Sequence, residues 1–128
     1  MNEIIKRVFL KKEEIIQKTM NYQNSSMNCD SGNHSKEYSM MYDYFDQHFG
    51  EDEIKVIQSI MYFGRECYTG SGSEYTGTKE EIISFWMKAL GFILDRKINK
   101  DVEICQMIGK AQKIGDYFKY GFEELEKI

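Results

Sequence analysis

Apolar residues recur along the chain at intervals of three and four, the spacing of one face of an α-helix, and no segment requires a strand to account for it. The clearest run is residues 51–68. Ile54, Ile57, Ile60 and Met61 share a face, Glu51, Asp52 and Glu53 occupy the first turn where the positive end of the helix dipole favours acids, and Gly64-Arg65 closes the pattern. This predicts a core helix, with the N-terminal part of the chain leading into it and the C-terminal part covering it.

The pattern elsewhere predicts the remaining helices. Residues 2–22 place Ile4, Ile5, Val8, Ile15, Ile16, Thr19 and Met20 near one face, with lysines and Arg7 around the rest, which reads as one amphipathic helix. Its basic residues would suit a membrane surface, but Glu3, Glu13 and Glu14 dilute them, and the apolar stripe is what packing alone requires. Residues 23–37 hold little to bury and many turn formers, so they read as a mobile loop. Tyr38, Met41, Tyr42, Phe45 and Phe49 then trace an aromatic helical face, with Tyr44, Asp43 and Asp46 placed on the other side, and Gly50 ends that helix.

A glycine-rich stretch over 69–77 reads as a second mobile loop, followed by Thr78-Lys79-Glu80-Glu81 as a capping box. A helix over roughly 79–97 is apolar on more than one face and is expected to be the most buried. Asn99 or Lys100 starts the next run, where Gly109 and Gly115 permit a close helix contact or a kink, and Tyr117, Phe118, Gly121, Phe122 and Leu125 finish the chain on an amphipathic turn. The expectation is an all-α, compact single-domain bundle of about five or six helices spanning residues 1–128.

Composition agrees. A chain of 128 residues, 41% hydrophobic and 30% charged, is globular in balance and large enough to fold without metal or disulfide support. There is no proline, as suits helices joined by short turns. The N-terminus turns charged before a signal peptide can form, and no stretch approaches the roughly 20 apolar residues of a membrane span, so no membrane association is expected. Cys29, Cys67 and Cys105 are odd in number and widely spaced, which points to a reducing, cytoplasmic setting.

Charge is distributed unevenly. Residues 30–81 carry eleven acids against four basic residues, net −7, whereas residues 1–29 and 82–128 are net +2 and +1. An acidic middle repels nucleic acid and attracts a basic partner.

Candidate chemistry is sparse. Cys29 and His34 lack the further ligands a zinc site needs, and Gly77-Thr78-Lys79 has neither the order nor the preceding strand of a phosphate loop. His48 beside Phe49 reads as a surface or half-buried side chain, and Cys67 as a structural thiol. The acids of residues 51–53 are explained by the helix terminus without catalysis. No cofactor, no metal and no enzymatic activity is expected.

Ile60-Met61-Tyr62-Phe63-Gly64-Arg65, followed by Met107-Ile108-Gly109 and by Asp116-Tyr117-Phe118-Lys119-Tyr120-Gly121-Phe122, resembles an uncharacterised bacterial domain family of unknown function. Its members carry a methionine-aromatic-x-Gly-Arg motif and a late Leu-Gly and Asp-Tyr-Leu-x-x-Gly-Leu segment. The likeness covers the central helix and the C-terminal third, and this chain lacks the proline often found in the late segment. The resemblance implies a small helical domain and supplies no activity.

Two function classes follow. The charge map favours a cytoplasmic binding protein that neutralises a basic toxin domain, such as an immunity protein against a secreted nuclease, through Asp43, Tyr44, Asp46, Glu51, Asp52, Glu53, Glu66, Glu74 and Tyr75. The other class is a small homodimeric regulatory or scaffold domain in which the acidity serves solubility.

Overall fold

The computed structural model describes residues 2–28, 31–69, 81, 84, 86–88, 90, 91, 97–109 and 113–126. Among them there is no strand, and the protein is all-α as the periodicity predicts. Six helices have both ends described: α1 Asn2–Leu10, α2 Lys12–Asn28, α3 Ser31–His48, α4 Glu51–Thr69, α5 Lys100–Ile108 and α6 Ile114–Glu126. Helical residues between Glu81 and Gly91 belong to a further one, so the bundle slightly exceeds the expected five or six.

Three boundaries differ from expectation. Residues 2–22 are two helices, not one: the Lys11 amide donates to the Val8 carbonyl at 3.0 Å, and the Lys11 carbonyl then accepts from Ile15 at 2.8 Å to start α2. No proline or glycine marks this break. Its cause is tertiary, since α1 packs on α4 while α2 packs on α6, and both Val8 and Ile15 are fully buried. The polar stretch expected to be a loop is helical on both sides of residues 29 and 30, in α2 up to Asn28 and in α3 from Ser31. Lastly, α4 does not stop at Gly64-Arg65 but continues to Thr69. The expected loop at 69–77, apart from Thr69 at the end of α4, and the capping role of Thr78 lie outside the described residues.

The core-helix reading of α4 holds in a stronger form. Every residue from Ile54 to Met61 is buried, polar ones included, so this stretch is covered on all sides. The segment expected to be most buried is instead one-sided where it is described: Trp86 and Leu90 face inward, but Glu81, Ser84, Met87, Lys88 and Gly91 are exposed.

The second organising helix is α6, which lies between α2 and α4 and runs antiparallel to both. On the α2 side Lys12 pairs with Glu126 at one end, and Met20 and Gln23 meet Gly115 and Asp116 at the other. On the α4 side Ile60 meets Gly121 and Gly64 meets Tyr117. Glycine is required at these crossings because the backbones themselves touch. A Cβ on Gly64 would overlap the Tyr117 carbonyl oxygen and sit 2.8 Å from the Gly121 nitrogen. A Cβ on Gly121 would overlap the Ile60 carbonyl oxygen, and one on Gly115 would lie 2.7 Å from the Met20 Cα.

Aromatic rings extend this centre outward. Phe118 packs on Phe45 of α3 at 6.4 Å between centroids, and Phe122 meets Phe9 of α1 edge to face at 5.3 Å. The remaining helix, α5, is capped by Asn99, whose side-chain oxygen accepts from the Val102 amide at 3.3 Å. It runs antiparallel along α3, with Tyr38 against Cys105, Tyr42 against Asp101 and Asp46 against Lys100.

Candidate partner-binding surface

The corner between α3 and α4 is built by Phe49 and Gly50. Phe49 is 3% exposed and anchors the turn among Tyr44 and Phe45. The Gly50 carbonyl accepts from Ile54 at 2.9 Å, while Glu53 reaches back so that its Oε1 accepts from the Gly50 amide at 3.2 Å. The other oxygen of Glu53 lies 3.8 Å from Arg7 Nε. Glu53 is therefore occupied inside the molecule, closing the first turn of α4 and holding α1 against it.

Its two neighbours are not so occupied. Glu51 and Asp52 are exposed and have no ion-pair partner among the described residues. With Ile4, Arg7, Gly50 and Glu53 they line an open cleft whose one cation, Arg7, is already directed at Glu53. Asp43 is also exposed, on the outer side of α3.

The other sequence-selected residues fall differently. Asp46 is exposed, but Lys100 donates to its carbonyl at 2.8 Å and lies 3.5 Å from its carboxylate, tying α5 to α3. Tyr44, expected on the outer side with the acids, is buried at 7% exposure. Its hydroxyl donates to Glu14 at 2.8 Å and Lys18 sits over its ring, 5.1 Å from the centroid. Helical phase places Tyr44 away from α5, but α2 covers that side, so it is unavailable to a partner. The side chain of Glu66 lies outside the described residues, as do Glu74 and Tyr75. The structure thus brings Glu51, Asp52 and Glu53 together, leaves Glu51, Asp52 and Asp43 open, and assigns Tyr44, Asp46 and Glu53 to internal contacts.

Tyrosine protonation reports the same packing. Burial, and then the bond to Glu14, raise the Tyr44 phenol well above its ordinary value near 10. Tyr38 is pushed up to about 12, chiefly by its hydrogen bond with Cys105, and Tyr42 to about 12, chiefly by donating to Asp101. Each phenol keeps its proton because the neighbour uses it.

Sequence reasoning missed a buried polar seam on α4. Lys55, Gln58 and Ser59 are all buried. Gln58 donates to Glu103 of α5, itself buried, and Ser59 donates to the Val56 carbonyl at 2.6 Å while accepting from the Trp86 indole at 3.2 Å. A signal existed: positions 55, 58 and 59 share one helical face, and a tryptophan drawn into a core needs an acceptor for its N–H. A second, part-buried polar contact joins α2 to the start of α6. The Gln23 amide oxygen accepts from the Asp116 N–H at 3.0 Å, and its nitrogen donates to the Asp116 carboxylate at 3.0 Å.

Gly64-Arg65 divides into two roles. Gly64 is a contact position for α6, and the Arg65 guanidinium stacks on Tyr62 at 4.7 Å. His48 is exposed with its ring against Tyr44 at 5.0 Å, and Cys105 is an exposed thiol. The side chains of Cys29, His34 and Cys67 lie outside the described residues. Among the described residues no three His, Cys, Asp or Glu side chains are grouped as metal ligands, and no helix is long and apolar enough to cross a membrane. Compared with known proteins, the chain matches no family model, and neither a curated protein nor a solved structure is similar to it.

Proposed function

We propose that this chain is a non-enzymatic, cytoplasmic binding protein that neutralises a basic protein such as a secreted nuclease toxin, using the acidic corner at the start of α4. The observation that carries the proposal is the exposed, uncompensated pair Glu51 and Asp52 beside a cleft whose single arginine is taken by Glu53. Cationic toxin domains that grip phosphate present the complementary charge, and unpaired surface acids speed encounter and fix register on such a partner. Asp43, exposed on α3, is a further acid in the proposal. Glu66, Glu74 and Tyr75 stay in the proposal on charge and sequence position alone. Membership of the helical domain family that the two glycine motifs resemble is a further part of it: the motifs meet at the crossing of α4 and α6, where Gly64 and Gly121 are the contact positions.

The test is capture from extracts of the native cells on immobilised wild-type protein and on the double variant Glu51→Lys, Asp52→Lys. Expected is a cationic protein retained by the wild type, released by raised salt, lost with the variant, and inhibited in its own activity only by the wild type. A captured partner that is acidic, or one retained equally by the variant, would sink the proposal. Both substitutions are exposed and should leave stability within about 0.5 kcal/mol, so loss of capture is not loss of fold.

A further inference from the structure

Away from the acidic corner, α2 and α3 enclose an open-sided cavity of about 180 Å³. Its floor is apolar and aromatic, for Tyr22, Met41 and Tyr44 line it and are buried. Its rim is polar and carries both signs of charge. Lys18 and Asn21 of α2 line it and are exposed, and Glu37 of α3 lines it partly exposed. Among the described residues neither Lys18 nor Glu37 belongs to an ion pair, with the other or with a third group. Lys18 lies instead over the Tyr44 ring, 5.1 Å from its centroid. Glu37 and Tyr44 are seven residues apart on α3, about 10 Å at 1.5 Å per helical residue, so the two charges stand at opposite ends of the cavity.

We infer that this cavity binds a free α-amino acid with an apolar side chain. Lys18 takes its carboxylate, Glu37 takes its ammonium group, and the side chain lies on the floor of Tyr22, Met41 and Tyr44. Three observations select that chemistry. Opposite charges that face one apolar hollow without bonding each other are matched by a ligand that carries both charges. The span fits as well: two charge-assisted hydrogen bonds of about 2.8 Å, with about 3 Å across the ligand's own ammonium and carboxylate, come to about 9 Å. So does the volume, because an apolar cavity of about 150 Å³ accepts benzene, and the side chains of phenylalanine and leucine are of that order.

Ligands with a single charge fit worse. A fatty acid would satisfy Lys18 and leave Glu37 facing apolar chain, and a simple amine would do the reverse. Asn21, exposed at the mouth, adds an amide that serves either head group, since it both donates and accepts. None of the lining residues belongs to the acidic corner, so this site and the reading of Glu51 and Asp52 stand or fall separately.

The experiment is isothermal titration calorimetry of the full chain with L-phenylalanine and L-leucine, and with two analogues that each lack one charge, phenethylamine and 3-phenylpropionate. Thermal unfolding with the same compounds gives a second readout, because a ligand of the folded state raises the melting temperature. Expected is saturable binding of at least one of the amino acids with a Kd below about 1 mM, and binding of each analogue at least about tenfold weaker. Lys18→Gln and Glu37→Gln should each weaken the amino acid roughly tenfold to a hundredfold, the effect of losing one hydrogen bond to a charged group. In Lys18→Gln the preference for phenylalanine over phenethylamine should disappear, and in Glu37→Gln the preference over 3-phenylpropionate, a pattern that a general loss of packing would not produce. Circular dichroism checks that both variants keep the fold. Neither heat nor a rise in melting temperature with either amino acid at about 10 mM overturns the inference, as does an analogue that binds as tightly as phenylalanine, or full affinity in either variant.

Discussion

Replacing Gly64 by alanine separates two opposed effects at a single helical position. Intrinsic propensity favours alanine over glycine inside a helix by about 1 kcal/mol, so a view of α4 alone predicts stabilisation. The crossing with α6 predicts the reverse. The new Cβ would overlap the Tyr117 carbonyl oxygen and lie 2.7 Å from its carbon, where ordinary carbon contacts are about 3.5 Å. The obstructing atoms belong to backbone already bonded within α6, so no side chain can swing aside, and α6 must withdraw by at least about 1 Å. A gap of that size forfeits a quarter to a half of each contact it opens, and Phe118 and Phe122, both fully buried, ride on the helix that moves.

Overpacking of this kind costs about 1–3 kcal/mol, and the rigid neighbours place it at the upper end, so the net loss after the propensity gain is about 2 kcal/mol. With a urea slope of about 2 kcal/mol per molar for a chain of this size, the midpoint should fall by about 1 M. The control is Gly91→Ala. Nothing lies within 4 Å of a Cβ at that exposed helical position, so only propensity acts, and the midpoint should rise by about 0.3–0.5 M. Urea unfolding followed by circular dichroism reads both. Equal shifts in the two variants, or a Gly64→Ala protein as stable as the wild type, would refute the close approach of α4 and α6.

Further expectations concern polar contacts. Gln23→Ala removes the side chain that serves both the Asp116 amide and its carboxylate at the start of α6, and should cost about 1–3 kcal/mol, seen as a melting temperature lower by several degrees. Tyr44→Phe keeps the buried ring but deletes the bond to Glu14, and should cost about 1 kcal/mol by urea unfolding at neutral pH. The tyrosines also set an alkaline limit. Their folded pKa values are raised, so above about pH 10 the folded chain retains protons that the unfolded chain has lost; stability is complete below that pH and falls as pH rises toward 12. Urea midpoints at pH 9 and pH 11 should show the decline, and Tyr44→Phe should make it shallower.

Much of the fold was legible in the chain. The apolar spacing within 51–61 identified α4, Asn99 announced the start of α5, and the late run from Tyr117 to Leu125 is α6. What escaped was decided by neighbours. The break at Lys11 carries no helix-breaking residue, because it arises where two stretches of one periodic pattern find different partners. Residues 23–28 and those from Ser31 looked like a loop because their composition is polar, yet they are helical, α2 being pinned at Gln23 by Asp116 and α3 at Tyr38 by Cys105. The acidic surface was only partly readable for a similar reason. Charge can be counted along a sequence, but whether Asp46 or Glu53 is available depends on Lys100, Arg7 and Gly50, which are distant or unremarkable until the chain folds.

The position of α6 also governs how the molecule is made. The helix that fills the space between α2 and α4 is separated by 114 residues from its first contact at Lys12, and by about half the chain from Ile60. As the polypeptide emerges from the ribosome, α1 to α4 are complete long before their shared partner exists, with the faces destined for Phe118 and Phe122 uncovered. Closing so long a loop is slow for an all-helical chain, and the interval before it closes is when apolar surface invites aggregation. Folding here therefore waits for the segment around Gly115 to Gly121, and a chain interrupted before that point lacks the helix that joins α2 to α4.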